Sequence, residues 1–328
     1  LLFLAALKAD TRRHAGIVAD VRAQLKNTQL KPVERLRYWL VLAEAAKYFE
    51  TGLTRVKALE QAALLNVALP AEENILRFDA DMLWQAYRDY GYADGNKEHL
   101  LVGDDESWRV HAQKALPSYP AKARALYSVI MAQSYDEASR TAAYREFADS
   151  FKDAERGDAI LAVLFTQSQE YRNLEDMPMS MRYRLINLAI NEGDIKRAAW
   201  LMGDLQVAPE GVTDYDWNLR RARILILSGQ AEQGAAVLQG ALQRNKQLDA
   251  VAVDRAAQVI FDLQSVNADR LALPLLQALL KLPLEAKQQR ELLFWAADSY
   301  KAEQQTARAA ASYLRSATLL DGFGYDPW

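Results

Sequence analysis

The sequence predicts an all-α protein built as a solenoid of antiparallel helix pairs. Three observations carry this. Apolar residues recur at three- and four-residue spacing over segments of 12 to 20 residues separated by short polar or Gly/Pro breaks. No segment alternates with period two, and β-branched residues are sparse. The breaks also recur at a regular interval, which is the mark of a repeat.

Taken in order, the first apolar run is LLFLAAL (Leu1 to Leu7). Seven residues are too few to span a bilayer, which needs about 20. They are read as the core face of a first helix, in a chain cut from a longer one. Glu34 to Glu50 is a strong helix, stopped by Thr51-Gly52. Leu53 to Leu69 is its partner, closed by Pro70, and Ala71 to Tyr90 is a third helix ended by Gly91. Gly91 to Asp105 holds three Gly and four acids with no helical period, and reads as a long loop. Within it Asp104 is expected to cap a helix beginning near Glu106. Breaks at Lys114 to Ala125 (Pro117, Pro120) and Asn173 to Met181 (Pro178) divide the chain into an irregular helical-repeat block (1–116), connecting repeats (117–178) and a regular array (179–328). About one pair per 36 residues gives roughly eight to nine pairs.

The array has a phase. Gly193, Gly229, Asn267 and Gln304 are expected to be the turns within four helix pairs, spaced 36, 38 and 37 residues apart. Five residues after each turn stands a small residue (Ala198, Gly234, Ala272, Ala309), and four further on a large one (Met202, Leu238, Leu276, Tyr313). Seven before each turn lies Ile186, Ala222, Ile260 or Ala297; four before it lies Ala189, Leu225, Leu263 or Tyr300. Small residues let paired helices approach closely, and large ones fill the space between pairs.

This pattern resembles the tetratricopeptide repeat (TPR), best over Arg221 to Gln243 and Ala296 to Leu320, and also over Tyr38 to Gly52. The resemblance implies a right-handed superhelical solenoid that binds another protein or peptide in a concave groove lined by the first helix of each pair. By turn alignment it implies that Tyr183, Asn187, Asn191, Asp216, Arg223, Asp254, Phe261, Gln264, Glu291, Asp298 and Lys301 face that groove. A cationic clamp for chaperone tails is incomplete, because Tyr183 stands where that clamp has Lys.

Composition narrows the function. Forty basic against 43 acidic residues leave a net charge of −3, unlike a general nucleic-acid binder. With no Cys, thiol catalysis, disulfides and cysteine metal sites are excluded. His14, His99 and His111 are the only histidines and follow no metal-ligand spacing. No nucleophile elbow, phosphate loop or dinucleotide fingerprint occurs. Seven Trp, fifteen Tyr and nine Phe leave open a contact with polysaccharide, although Trp39, Trp84, Trp200, Trp217 and Trp295 fit helical periods and read as packing.

The expectation is therefore a non-catalytic protein-interaction scaffold with no cofactor and no metal. Absent cysteines and the family's common use place it in the bacterial periplasm, in an export, exopolysaccharide-secretion or assembly system of the cell envelope. The alternatives are a helical accessory domain of a glycan- or peptidoglycan-acting enzyme, and a cytoplasmic co-chaperone-like or regulatory domain.

Overall fold

A computed structural model describes residues 14–49, 51–69, 78–152, 154, 156–245 and 247–319. The expected readings of Leu1 to Leu7 and of the final turn signal after Asp321 lie outside these residues. Among the described residues there are seventeen α-helices and no strand, so the chain is all-α. The helices fall into two compact units, residues 1–188 and 189–328, with one helix carrying the chain from the first into the second.

The first unit contains α1 (His14–Leu25), α2 (Pro32–Phe49), α3 (Gly52–Ala68), α4 (Ala80–Asp94), α5 (Lys97–Leu101), α6 (Asp105–Ala115), α7 (Pro120–Gln133), α8 (Glu137–Asp149) and α9 (Gly157–Thr166). Its termini follow local chemistry. Thr51 caps α3 by accepting from the Thr54 amide, Asp104 caps α6 from Ser107, and Asp136 caps α8 from Ser139. Pro120 takes the first position of α7, where its missing N–H costs nothing.

α7 is the axis of this unit. Ten of its fourteen residues are buried, so it is covered nearly all round, by α3, α4, α6 and α8. α9 returns to pack on α3 and α4. There Trp84 sits 5.2 Å from the Phe147 ring and 5.4 Å from Phe165, and donates its indole N–H to the Leu164 carbonyl at 3.0 Å. Tyr87, Phe151 and Tyr171 extend the cluster.

Beside it runs a buried polar link. Arg124 on α7 donates to Glu60 on α3 at 2.9 Å and to the Ser150 hydroxyl and carbonyl at 3.1 and 2.8 Å, and lies over the Phe151 ring at 3.8 Å. Tyr87 donates to the same Glu60 oxygen at 2.7 Å. Burial and the adjacent carboxylate push the Tyr87 phenol well above its ordinary pKa, which keeps it a donor.

Two expectations are corrected here. Gly91 does not end α4, which runs on to Asp94. A Cβ at Gly91 would lie 2.5 Å from the Ala125 carbonyl oxygen and 2.8 Å from a Val129 methyl. The glycine therefore lets the α4 and α7 backbones touch, with the Val129 side chain beside them. The expected long loop from Gly91 to Asp105 instead contains the end of α4, all of α5 and a tight turn with Gly103 at φ 77°. α5 has only five residues, too few for a period to show. Of the helix expected over Ala71 to Tyr90, the part before Phe78 lies outside the described residues.

Helix α10 (Met179–Asn191) leads into the second unit, which continues with α11 (Ile195–Met202), α12 (Asp214–Leu227), α13 (Ala231–Arg244), α14 (Ala250–Ser265), α15 (Asp269–Leu279), α16 (Ala286–Ala302) and α17 (Thr306–Thr318). The four expected turns are all present and alike. Gly193, Gly229, Asn267 and Gln304 have φ of 76°, 94°, 58° and 59°. After each, the next amide reaches back five residues, as Asp194 to Ala189, Gln230 to Leu225, Ala268 to Leu263 and Gln305 to Tyr300, each at 2.8 Å. This is the Schellman closure, which needs one left-handed residue and satisfies carbonyls the helix end leaves open.

The small positions Ala198, Gly234, Ala272 and Ala309 are all buried, as are Ile186, Ala222, Ile260 and Ala297 seven before the turns. Met202, Leu238 and Leu276 are buried too; Tyr313 and Tyr300, in the last pair, are only half-buried. Gly234 marks a close approach of α12 and α13, since a Cβ there would meet the Ala222 carbonyl oxygen at 2.7 Å.

Candidate functional site

The second unit places most of the expected groove residues in one row. Bonds between α12 and α14 join Tyr215 to the Ala252 carbonyl (2.9 Å), Asp216 to Arg255, and Arg223 to Asp262 (2.9 Å). Bonds between α14 and α16 join Gln288 to Asp254 (2.7 Å) and Gln264 to Ser299 (2.7 Å). In both steps the N-terminal half of one helix meets the N-terminal half of the other, and likewise for the C-terminal halves, so α12, α14 and α16 run parallel. Each linked pair is 34 to 39 residues apart, the interval seen between turns. α16 and α17 are antiparallel, because Ser316 donates back to the Arg290 carbonyl and Tyr313 to Asp298.

Along this row the structure puts Asp216, Arg223, Asp254, Phe261, Gln264 and Asp298 into contacts between neighbouring helices. Phe261 lies 4.8 Å from the Trp295 ring. Gln264 divides its amide between the Trp295 carbonyl at 2.9 Å and Ser299. Asp298 accepts from Tyr313, whose phenol is pushed up to about 12 by burial first and by that carboxylate second. Arg223 is half exposed (51%) while its partner Asp262 is buried. Burial raises the Asp262 carboxyl above its usual range, and Arg223 only partly offsets this. Glu291 and Lys301 are exposed, with no ion pair among the described residues. Tyr183, Asn187 and Asn191 lie on α10; Tyr183 is half-buried, which raises its phenol, and both asparagines are exposed. The row can thus present the half-exposed guanidiniums of Arg223 and Arg255, the exposed acids Asp254 and Glu291, and Lys301 to a partner over a stiffened surface.

Two clefts were not legible as sites in the sequence. In the first unit, Trp84, Arg88, Tyr92 and Glu170 line a cleft of about 480 Å³, in which Arg88 and Glu170 satisfy each other as an ion pair. In the second unit, Arg221 on α12 and Arg244 on α13 line a cleft of about 600 Å³ with Val207 and Val237. Its signal in the sequence was the spacing of Asp214, Asn218 and Arg221 at i, i+4 and i+7, one face of a helix.

The singled-out tryptophans divide. Trp84 and Trp217 are buried at 1% exposure, Trp295 packs on Phe261, and Trp39 is half-buried. Trp200 is 42% exposed. The histidines near the irregular middle pair with carboxylates: His99 with Asp104 at 3.0 Å, and His111 with Asp94 at 3.5 Å, an acid that Lys122 also holds at 2.8 Å. Among the described residues no three His, Asp or Glu side chains are grouped as a metal site would need, and no helix is long and apolar enough to cross a membrane.

No family model matches the chain, and no curated protein matches it.

Proposed function

We propose that this chain is a non-catalytic scaffold that binds another protein, and that its second unit is a short TPR-like right-handed superhelix of antiparallel pairs. The observation that supports this is the parallel row of α12, α14 and α16, cross-linked at the repeat interval. Such a row is a preformed surface: side chains already held by a neighbouring helix lose little entropy when a partner arrives. Arg223, with a half-exposed guanidinium, and the exposed Asp254, Glu291 and Lys301 are the groups on it that would set charge complementarity. The setting proposed is the bacterial periplasm, in an export, exopolysaccharide-secretion or envelope-assembly complex, on the strength of the cysteine-free composition and the repeat resemblance.

The test is crosslinking and affinity capture from an envelope fraction, using the chain as bait beside a variant carrying Arg223→Glu, Asp254→Lys and Glu291→Lys. A defined protein recovered by the native chain and lost with the variant supports the reading. Equal recovery by both baits removes the row as the binding surface, and retention on polysaccharide alone replaces the protein partner with a glycan.

A further inference from the structure

We propose that the cleft between α12 and α13 is a second binding site, one that takes carboxylates of an acidic peptide segment with apolar neighbours. It lies away from the row. At about 100° per residue, Asp214, Asn218 and Arg221 cluster on one side of α12, about 180° from Asp216 and Arg223. The reading therefore stands or falls independently of the proposed scaffold row.

Three features carry it. First, two guanidiniums, Arg221 and Arg244, line the same cleft of about 600 Å³. Neither has a carboxylate within ion-pair distance among the described residues. Elsewhere in this unit arginines at helix contacts do find acids, as Arg223 finds Asp262 and Arg255 finds Asp216. Burial lowers the Arg221 pKa from its ordinary value and the like charge of Arg244 lowers it further, while the guanidinium stays charged, so an arriving anion offsets an existing repulsion.

Second, the cleft is preorganised. Asn218 donates its amide to the Asp214 carbonyl at 2.7 Å and accepts from one Arg221 nitrogen at 3.2 Å, which tethers one end of the guanidinium. Arg221 Nε is buried and has no hydrogen-bond partner among the described residues, so the guanidinium keeps donor capacity for a ligand. Gly240 leaves room on α13 for Arg244, since a Cβ there would stand 3.3 Å from its Nη1.

Third, the lining selects the ligand. Two arginines against the Asp214 side chain leave a net charge near +1, which suits a monoanionic carboxylate better than a phosphate dianion. Val207 and Val237 supply the apolar wall that a leucine or valine beside the acid would cover.

The experiment is titration calorimetry on the full chain with a capped peptide of alternating leucine and glutamate. Its glutamine counterpart and inorganic phosphate serve as the other probes. The glutamate peptide should bind, more weakly as salt is raised, and Arg221→Gln and Arg244→Gln should each weaken it about tenfold, the scale of one charge-assisted contact. Arg270→Gln, which removes the same charge from α15, should leave binding unchanged. Arg244 is exposed at the end of α13, so its variant carries the test should Arg221→Gln melt early. Equal binding of the glutamine peptide overturns the proposal. So does phosphate binding as tightly as the glutamate peptide, or wild-type affinity in Arg244→Gln.

Discussion

Replacing Gly234 with alanine sets two effects of opposite sign against each other. Gly234 is in the first turn of α13, and intrinsic helix propensity favours alanine there by about 0.8–1 kcal/mol. The added Cβ, however, would stand 2.6 Å from Ile226 Cγ1, 2.7 Å from the Ala222 carbonyl oxygen and 3.1 Å from the Ile226 nitrogen. Two of those three atoms are backbone, so no rotamer change relieves the overlap and the two helices must part by several tenths of an ångström. Overpacking of this kind costs about 1–3 kcal/mol, and contacts with backbone belong at the upper end. The net expectation is a loss of about 1–2 kcal/mol. Gly240→Ala, on the same helix, is the control. Its Cβ meets only the flexible end of Arg244 at 3.3 Å, so the propensity gain should survive as about 0.5 kcal/mol of added stability. Equilibrium urea denaturation followed by circular dichroism reads both. If Gly234→Ala proves as stable as Gly240→Ala, the close approach of α12 and α13 is not what the glycine serves.

Three further expectations follow from the fold. Arg124→Met leaves Glu60 buried beside Tyr87 without its cation and should cost about 3–5 kcal/mol, whereas adding Glu60→Leu to it should recover part of that loss; additive losses would mean the two side chains do not act as a pair. Gln304→Gly should raise stability by about 0.5–1 kcal/mol because a left-handed φ of 59° strains a glutamine, Asn267→Gly should gain less because asparagine tolerates that region, and Gly229→Ala should lose about 1 kcal/mol, all read from urea midpoints. Hydrogen bonds from Ser107 and Ser139 hold the Asp104 and Asp136 carboxyls below the usual carboxylate range, so their capping contribution is complete above about pH 4 and is lost as pH falls through the lowered native values. The stability gap between the native chain and an Asp104→Ala, Asp136→Ala variant should therefore be full at neutral pH and shrink in acid; a gap independent of pH would contradict the assignment.

What the sequence determined by itself is what short-range physics controls. The helical class follows from apolar spacing within single segments. The caps at Asp104 and the turns at Gly193, Gly229, Asn267 and Gln304 follow from bonds spanning three to five residues. Those turns set the phase of the pairs α12/α13, α14/α15 and α16/α17, and with it which small residues are buried. Even the absence of glycine at two turns was no obstacle, because asparagine and glutamine take the same left-handed φ when the closing bonds form.

Tertiary structure alone decided the rest. Gly91 looks like a helix stop until α7 is placed against it, and then it is a contact point inside α4. Glu60 and Arg124, 64 residues apart, gave no sign of pairing, and neither did Trp84 and the Leu164 carbonyl, 80 apart. Such pairs depend on which helices the packed core brings together, and side-chain periodicity on one helix says nothing of its neighbour. The same holds at the candidate sites. Arg223 was read as facing a groove, and only the packing of α14 supplied Asp262 as its partner. Arg221 and Arg244 carry no motif, and the turn at Gly229 brings them to one cleft, where neither forms an ion pair among the described residues. A charge acquires a role from the charges that are near it, and nearness across helices is a property of the fold.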